Sequence, residues 1–337
     1  MKILLVQTGF LGDMVLSTAL IAAIKRLYPQ SELWAMTTPL ARELLVRDPL
    51  LAGVLTFEKR KGESGILGLW RKAKELRDMG FDRAYSAHRS FRTALVLWLS
   101  RIPCRTGFAD ADLSWLYHRS ARVAPQLHDV QRRLQLLSGE ASLESLPQDM
   151  RLFAPAGEEC SAEVQGFLEV RSPYVVLVPG SVWATKRWHA KGFAEAGRAL
   201  ADKGYRLLLL GSKEEASLCE EVGRGGACVN FAGRSTLAEF MFLIKHAALL
   251  LCNDSMALHV ASAFKVPTVA VFCATSPTFG FGPWRNQAIV VEKKGLSCKP
   301  CRPHGGMRCP LGTDACMREV SIEEVVTAAL QLLGERT

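Results

Sequence analysis

The chain has 337 residues, 49% of them hydrophobic and 22% charged, the balance of a globular protein and more than one hydrophobic core usually supports, so two domains are expected. No apolar run approaches the roughly 20 residues that would cross a bilayer as a helix, which excludes a helical membrane-spanning protein. The net charge is +9 and unevenly placed: sixteen Lys and Arg face seven Asp and Glu between Lys59 and Arg133, while the rest of the chain holds 26 of each sign. A surplus confined to one segment suits an anionic partner such as nucleic acid, lipid headgroups or a phosphorylated glycan, or is a solvated surface whose acids lie elsewhere.

In chain order, "KILLVQ" is a continuous apolar run, as expected of a strand buried on both faces. It is too short for a signal sequence and leads into a glycine loop, so the chain is expected in the cytoplasm. The helical stretch "MVLSTALIAAIKRLYP" follows, stopped by Pro29. Next come strand "ELWAMT", helix "PLARELLVRDP", strand "GVLTFE", the basic helix "GLWRKAKELRDMG", strand "FDRAYSA" and helix "FRTALVLWLS". Residues 150–172 read as a junction, with "FAPAGEE" and the helix "EECSAEVQGFLEVR". A second alternation then begins: strand "YVVLVPG", helix "AKGFAEAGRALADKG", strand "YRLLLLGS" and helix "KEEASLCEEVGRG". Helix "TLAEFMFLIKHA", strand "ALLLCND", helix "MALHVASAFKV" and strand "PTVAVFC" complete it. A last helix, "SIEEVVTAALQLLGE", starts with Ser321 as N-cap and Glu324 completing a capping box. This alternation means an α/β protein made of two similar parallel, doubly wound halves.

Doubly wound sheets bind ligands at the carboxyl ends of their strands, so two such domains facing each other place the site in the cleft between them. The loops that matter are then Thr8–Asp13, Pro179–Lys186, Gly211–Glu215 and Asn253–His259. The first is no dinucleotide fingerprint, since Gly9 and Gly12 stand alone, and no phosphate-cradling loop, since G-K-[ST] is missing. Asp13 at a helix start would repel phosphate. It either caps the helix or serves as a general base, its charge stabilised by the helix dipole. In "PGSVWATKRW", Gly180 and Ser181 allow a close backbone approach, and Lys186 and Arg187 offer cations to a diphosphate; the plain alternative is a surface turn. In "CNDSMALHVA" a strand ends at Asn253-Asp254-Ser255 and a helix begins at once. The N–H groups near Ser255 and Met256 form an anion site there, and Asp254 can accept from sugar hydroxyls. His259, one turn on, is either a core residue or part of the site.

Taken together, "TGFLGDMVLSTAL", "PGSVWATKRW" and "NDSMALHVASAFKVPTVAVFCATSP" resemble glycosyltransferase family 9, in particular the lipopolysaccharide heptosyltransferase II group. The tail "CKPCRPHGGMRCPLGTDACM" resembles a Cys-rich segment found in many members of that group. The resemblance covers nearly the whole chain. It implies a GT-B architecture of two Rossmann-like domains: residues 1–155 binding the acceptor, residues 156–320 binding the nucleotide sugar, and a helix over 321–337 packing back onto the N-terminal half. The implied activity is an inverting, metal-independent transfer of heptose from ADP-heptose to a phosphorylated, lipid-linked inner-core acceptor of lipopolysaccharide. No cofactor is required. The enzyme is then cytoplasmic and peripheral at the inner face of the membrane, with no nucleic-acid partner.

Position by position, the resemblance makes Asp13 the catalytic base, Lys186 the holder of the diphosphate and Asp254 the residue that orients the donor sugar. Gly180, Ser181, Thr185, Glu215, Ser255, Met256 and His259 complete the donor loops, with Glu215 aligned to a ribose-binding carboxylate. The family usually carries glycine where Met256 sits, and a side chain there narrows the space beside the diphosphate. Acceptor contacts are expected from Gly12, from Lys59, Arg60 and Lys61, and from Arg89 and Arg92, whose forked guanidinium groups suit phosphates.

Four of the ten cysteines, Cys298, Cys301, Cys309 and Cys316, cluster near the end of the chain. They read as a tetrathiolate structural zinc site, as plain thiols or as disulfides, the last disfavoured in a reducing compartment. Two other functions fit parts of the pattern. A GT-B-like nucleotide-sugar epimerase would share the donor domain but needs no basic acceptor domain. A basic nucleic-acid-binding protein would leave the glycine and Asn-Asp loops unexplained.

Overall fold

The structure is a computed structural model that describes residues 1–58, 65–224, 226 and 228–334. It divides into two compact units, Met1–Phe153 and Ala154–Thr337.

The first unit runs β1 (Lys2–Val6), α1 (Leu11–Ser17), α2 (Ala19–Leu27), β2 (Glu32–Thr37), β3 (Gly53–Thr56), α3 (Ile66–Asp78), β4 (Arg83–Ser86), α4 (Phe91–Leu99), β5 (Cys104–Phe108), β6 (Arg119–Ala121) and α5 (Asp129–Leu134). Its six strands are ordered β3-β2-β1-β4-β5-β6, and all pair in parallel. β1 lies at the centre with Ile3, Leu4, Leu5 and Val6 fully buried, as its unbroken apolar run requires. The helix expected after β1 is interrupted at Thr18, whose hydroxyl bonds the Val15 carbonyl at 2.6 Å and so competes with the helical ladder. The helix expected over "PLARELLVRDP" is only a 3-10 turn, Leu40–Leu44. There the Thr38 hydroxyl accepts from the Ala41 N–H, and Asp48 accepts from the Leu50 N–H, holding the segment in turns.

The second unit runs α6 (Ala162–Glu169), β7 (Tyr174–Val178), α7 (Ala190–Ala201), β8 (Arg206–Leu209), α8 (Ala216–Gly223), β9 (Cys228–Asn230), α9 (Leu237–Lys245), β10 (Leu249–Asn253), α10 (Met256–Phe264), β11 (Thr268–Val271), β12 (Ala288–Val291), α11 (Ala315–Arg318) and α12 (Ile322–Leu333). Its sheet, β12-β11-β10-β7-β8-β9, repeats the order of the first and is parallel throughout. The last helix, α12, packs on α7 and on β10, β11 and β12. Val325 and Ala329 are fully buried in that core. At its start the Ser321 hydroxyl accepts from the Glu324 N–H at 3.2 Å, the first half of the expected capping box, and donates to Glu323 at 2.7 Å.

The positive surplus of the first unit is partly internal. Lys72, Arg105 and Arg133 are buried. Arg105 donates to the carbonyls of Ile102 and Leu116, Lys72 pairs with Glu75 at 2.6 Å, and Arg83 and Arg119 flank Glu140. The counted charges therefore overstate the field at the surface.

Where the first unit ends, Arg151 grips buried Asp48 with two hydrogen bonds of 2.7 and 2.8 Å, while its N–H donates to Thr18. Asp48→Ala should leave a half-buried guanidinium unpaired and lower unfolding stability by about 2 kcal/mol. Urea unfolding that shifts by less than ~0.5 kcal/mol, the level of an ordinary surface change, would show the pair to be dispensable.

Candidate functional site

Each sheet reverses its strand order at one place, between β1 and β4 in the first unit and between β7 and β10 in the second. The loops beyond the carboxyl ends of those strands diverge, leaving a crevice where a ligand can reach backbone and side chains. The polar side chains singled out from the sequence gather at these two points.

In the first unit, Gln7 and Thr8 follow β1 and His88 follows β4. The Thr8 hydroxyl lies 3.3 Å from Nδ1 of His88 and 3.3 Å from the Thr93 hydroxyl. Gln7 Oε1 accepts from the Gly9 N–H at 2.9 Å, and its amide nitrogen donates to the Ala87 carbonyl at 2.8 Å. A Cβ at Gly9 would stand 3.0 to 3.2 Å from Gln7, Asp13 and His88 together, so the loop closes tightly enough to favour glycine. Asp13 occupies the first turn of α1, next to Gly12, and its side chain is 31% exposed. Oδ2 accepts from the Phe10 N–H at 3.3 Å, and Oδ1 accepts from Nη2 of Arg133 at 2.8 Å. Arg133 is buried and also pairs with Asp129 at 2.6 Å. Its Nη1 donates to Ser17 at 2.8 Å and to the Ala87 carbonyl. Burial opposes the Arg133 charge, but Asp129 and then Asp13 outweigh it and raise its pKa above the ordinary value.

In the second unit, Lys186 Nζ pairs with Oδ2 of Asp254 at 2.7 Å, with the two side chains only 13% and 5% exposed. The Thr275 hydroxyl donates to the same oxygen at 2.7 Å. Ser181 donates to the Asp254 carbonyl. Asn253 ties the two loops together, accepting from Trp188 N–H and donating to the Pro179 carbonyl. Thr185 is fixed by an exchange with Gly306: its N–H donates to that carbonyl, and its hydroxyl accepts from that N–H. α10 begins at Met256 with Ser255 as its N-cap residue, and no side chain closes the cap. The Ser255 hydroxyl is buried with no hydrogen-bond partner among the described residues. His259 is buried one turn into the helix. Glu215 stands against Gly180, where an added Cβ would lie 2.1 to 2.6 Å from its carboxylate. It also accepts from the Ser212 N–H at 2.9 Å.

The arrangement thus offers a carboxylate paired with a buried arginine at one switch point. At the other it offers an open helix start with a lysine and a hydrogen-bonding carboxylate beside it, the chemistry that takes an anion next to hydroxyl groups. Residues 69–308 match glycosyltransferase family 9 (heptosyltransferase). The chain belongs to that family. It is 29% identical over 297 residues to lipopolysaccharide heptosyltransferase 2 of Escherichia coli strain K12, covering 83% of this chain and 84% of that one. It superimposes on the structure of the E. coli ADP-heptose lipopolysaccharide heptosyltransferase II with a TM-score of 0.80 at 25% identity, over 99% of this chain and 98% of that one. The crystal structure of a family 9 glycosyltransferase from Veillonella parvula gives a TM-score of 0.85 at 20% identity, over 99% and 97% of the two chains, and this likeness speaks for the fold. The architecture is GT-B, with two Rossmann-like domains.

Within this family 9 chain the expected donor residues Gly180, Ser181, Thr185, Lys186, Glu215, Asp254, Ser255, Met256 and His259 all lie at or beside the β7–β10 switch point. Asp13 and Gly12 lie at the β1–β4 point. Of the acceptor-side basic residues, Lys59, Arg60 and Lys61 lie outside the described residues. Arg89, placed just after β4, is held by Asp110 at 2.9 Å and stacks over the Phe108 ring. Arg92 stacks over Phe91. Cys298, Cys301, Cys309 and Cys316 carry free thiols. Among the described residues no three His, Cys, Asp or Glu side chains are arranged to hold a metal ion, so no chemistry is assigned to one there.

Arg133, Asp129, Gln7, His88 and Thr275 escaped the sequence reading. One signal was available for the first pair: Val130, Arg133, Leu134 and Leu137 share one helical stripe, and all are buried. A cation in an apolar stripe implies a buried partner.

Arg133→Lys keeps the charge and loses the fork that fixes Asp13. Turnover should fall roughly 10- to 100-fold, the cost of displacing the Asp13 carboxylate from a site where it acts, with donor KM little changed. Wild-type turnover in this variant would mean that Asp13 needs no such support. A second expectation concerns the thiols. N–H groups of Asp314, Leu311, Thr313 and Gly312 lower the Cys309 pKa, whereas burial first, and then neighbouring thiols, push Cys316 up to about 11. The thiolate is the nucleophile, so iodoacetamide near neutral pH should label Cys309 well before Cys316, as read by peptide mass spectrometry. Preferential labelling of Cys316 would contradict this.

Proposed function

We propose that this chain transfers heptose from ADP-heptose to a phosphorylated, lipid-linked inner-core acceptor of lipopolysaccharide, with inversion at the anomeric carbon and Asp13 as general base. The observation that carries the reading is the state of Asp13. Its Oδ1 is committed to Arg133, while Oδ2 has one 3.3 Å bond among the described residues, and the side chain is partly exposed. Oδ2 is the oxygen left to take a proton. On this reading it removes the proton from the acceptor hydroxyl, that oxygen bonds to C1 of the heptose, and the bond from C1 to the diphosphate breaks. ADP leaves with the electron pair. Lys186 and the open start of α10 stabilise the charge that builds on it, which makes the transfer metal-independent. Asp254 accepts from a donor-sugar hydroxyl, and Glu215, beside Gly180, from the ribose. Support for donor and acceptor comes from the family and from the names of the relatives above. Among the described residues no helix is long and apolar enough to cross a membrane, and the enzyme works from the cytoplasm at the inner face of the membrane.

Incubation with ADP-heptose and a heptose-deficient core acceptor tests the whole reading. Transfer with inverted anomeric configuration, read by NMR, supports it. Isomerisation of the donor without an acceptor, or no reaction with either, overturns it. Asp13→Asn keeps the shape and removes the basicity, so turnover should fall by roughly 10²-fold or more with ADP affinity nearly unchanged. Lys186→Ala should weaken ADP binding and slow transfer together, because its contact strengthens as charge builds on the leaving group. Calorimetry showing unaltered ADP affinity in that variant would remove Lys186 from the diphosphate site.

A further inference from the structure

We propose that the outer face of α3 and α4 in the first unit is a docking surface for an anionic lipid bilayer. The two helices pack side by side. α3 turns Leu69, Ala73 and Leu76 inward. Leu67, on the far side, is 78% exposed, Trp70 on the flank is 51% exposed, and Ile66 at the helix start is 76% exposed. α4 buries Ala94, Val96 and Leu97 and leaves Phe91 and Trp98 exposed. Large apolar side chains gathered on adjacent helices are unlike the scattered exposed hydrophobics of an ordinary surface. Cations accompany them. Arg71 and Lys74 are exposed on α3, and Arg101 is exposed just past α4. α4 contains no acid, and the acids of α3 are Glu75, paired with Lys72, and Asp78 in its last residue.

Tryptophan with Leu, Ile and Phe, flanked by Arg and Lys, is the chemistry of a helix lying in a membrane interface. The apolar groups enter the headgroup–acyl boundary, and the cations meet anionic headgroups. A second copy of this chain fits the face poorly, because a two-fold contact would set Arg71, Lys74 and Arg101 against their own equivalents. The inference assigns a surface to the membrane contact expected above, and its test uses neither donor nor acceptor, so it stands or falls apart from the transfer chemistry.

The full-length protein is mixed with vesicles of phosphatidylcholine alone and of phosphatidylcholine with phosphatidylglycerol, and binding is read by co-sedimentation. Binding to the anionic vesicles, with little to the neutral ones, is expected. The part of the tryptophan emission lost in Trp70→Phe should shift to the blue on binding. Leu67→Ser with Trp70→Ser should weaken binding by roughly tenfold or more through lost apolar burial. Arg71→Glu with Lys74→Glu should weaken it comparably. Because all four positions are exposed, circular dichroism and Tm should match the parent, which separates lost docking from lost folding. Three outcomes overturn the proposal: no binding to anionic vesicles, equal binding by parent and variants, or a concentration-dependent dimer seen by light scattering that the variants abolish.

Discussion

The buried guanidinium of Arg133 sets most of what the first unit can do. A charge taken out of water costs several kcal/mol unless it is paired and hydrogen-bonded. Arg133 meets that demand with Asp129 on its own helix, and with Asp13, Ser17 and the Ala87 carbonyl. One side chain therefore ties α5 to α1 and to the loop beyond β4. Asp13 is held in one orientation because the buried guanidinium donates to its Oδ1 at 2.8 Å. The position of the Asp13 carboxylate is thus a consequence of helix packing.

The second unit solves a similar problem in a looser way. Lys186 and Asp254 neutralise one another at 2.7 Å, but Asp254 has a second hold, the hydroxyl of Thr275. The lysine, on a flexible four-carbon stem, can swing to share a phosphate oxygen while the carboxylate stays anchored. An arginine there would grip Asp254 with two parallel bonds and give it up less readily. Lysine thus makes the looser pair, and the arginine at position 133, held by Asp129, Asp13, Ser17 and the Ala87 carbonyl, the tighter one.

Much of the fold was legible in the sequence because the central strands are unbroken apolar runs: "ILLV", "YVVLV" and "LLLC" are buried over their full length. β5, β6, β9 and β12 were not. β5 reads "CRTGF", with Arg105 inside it, and its burial is possible only because the guanidinium reaches three-dimensional partners, the carbonyls of Ile102 and Leu116. β6, β9 and β12 are three or four residues long and carry too little pattern to distinguish from loop. Charge misled for a related reason. A count along the chain gives Lys72, Arg105 and Arg133 the same weight as Arg71 and Lys74, although the first three lie inside. The site loops were legible because each is a short polar break after a strong strand. The partner of Asp13 was not, since it comes from a helix 120 residues away.

The two switch points also explain why a carboxylate sits where nucleotide-binding proteins keep anions out. Both sheets have the same strand order, so topology places a helix start at each crevice. What differs is whether that start is already neutralised. In α1, Asp13 supplies a negative charge in the first turn and accepts from the Phe10 N–H, so the positive end of the helix is satisfied from within and phosphate would be repelled. In α10, Ser255 makes no capping bond and the first turn holds no acid, so its N–H groups remain open to an anion. One acid in the first turn is enough to make a βα unit repel an anion, while the same unit without it leaves a helix start open to one, and a chain that repeats one fold twice carries both versions.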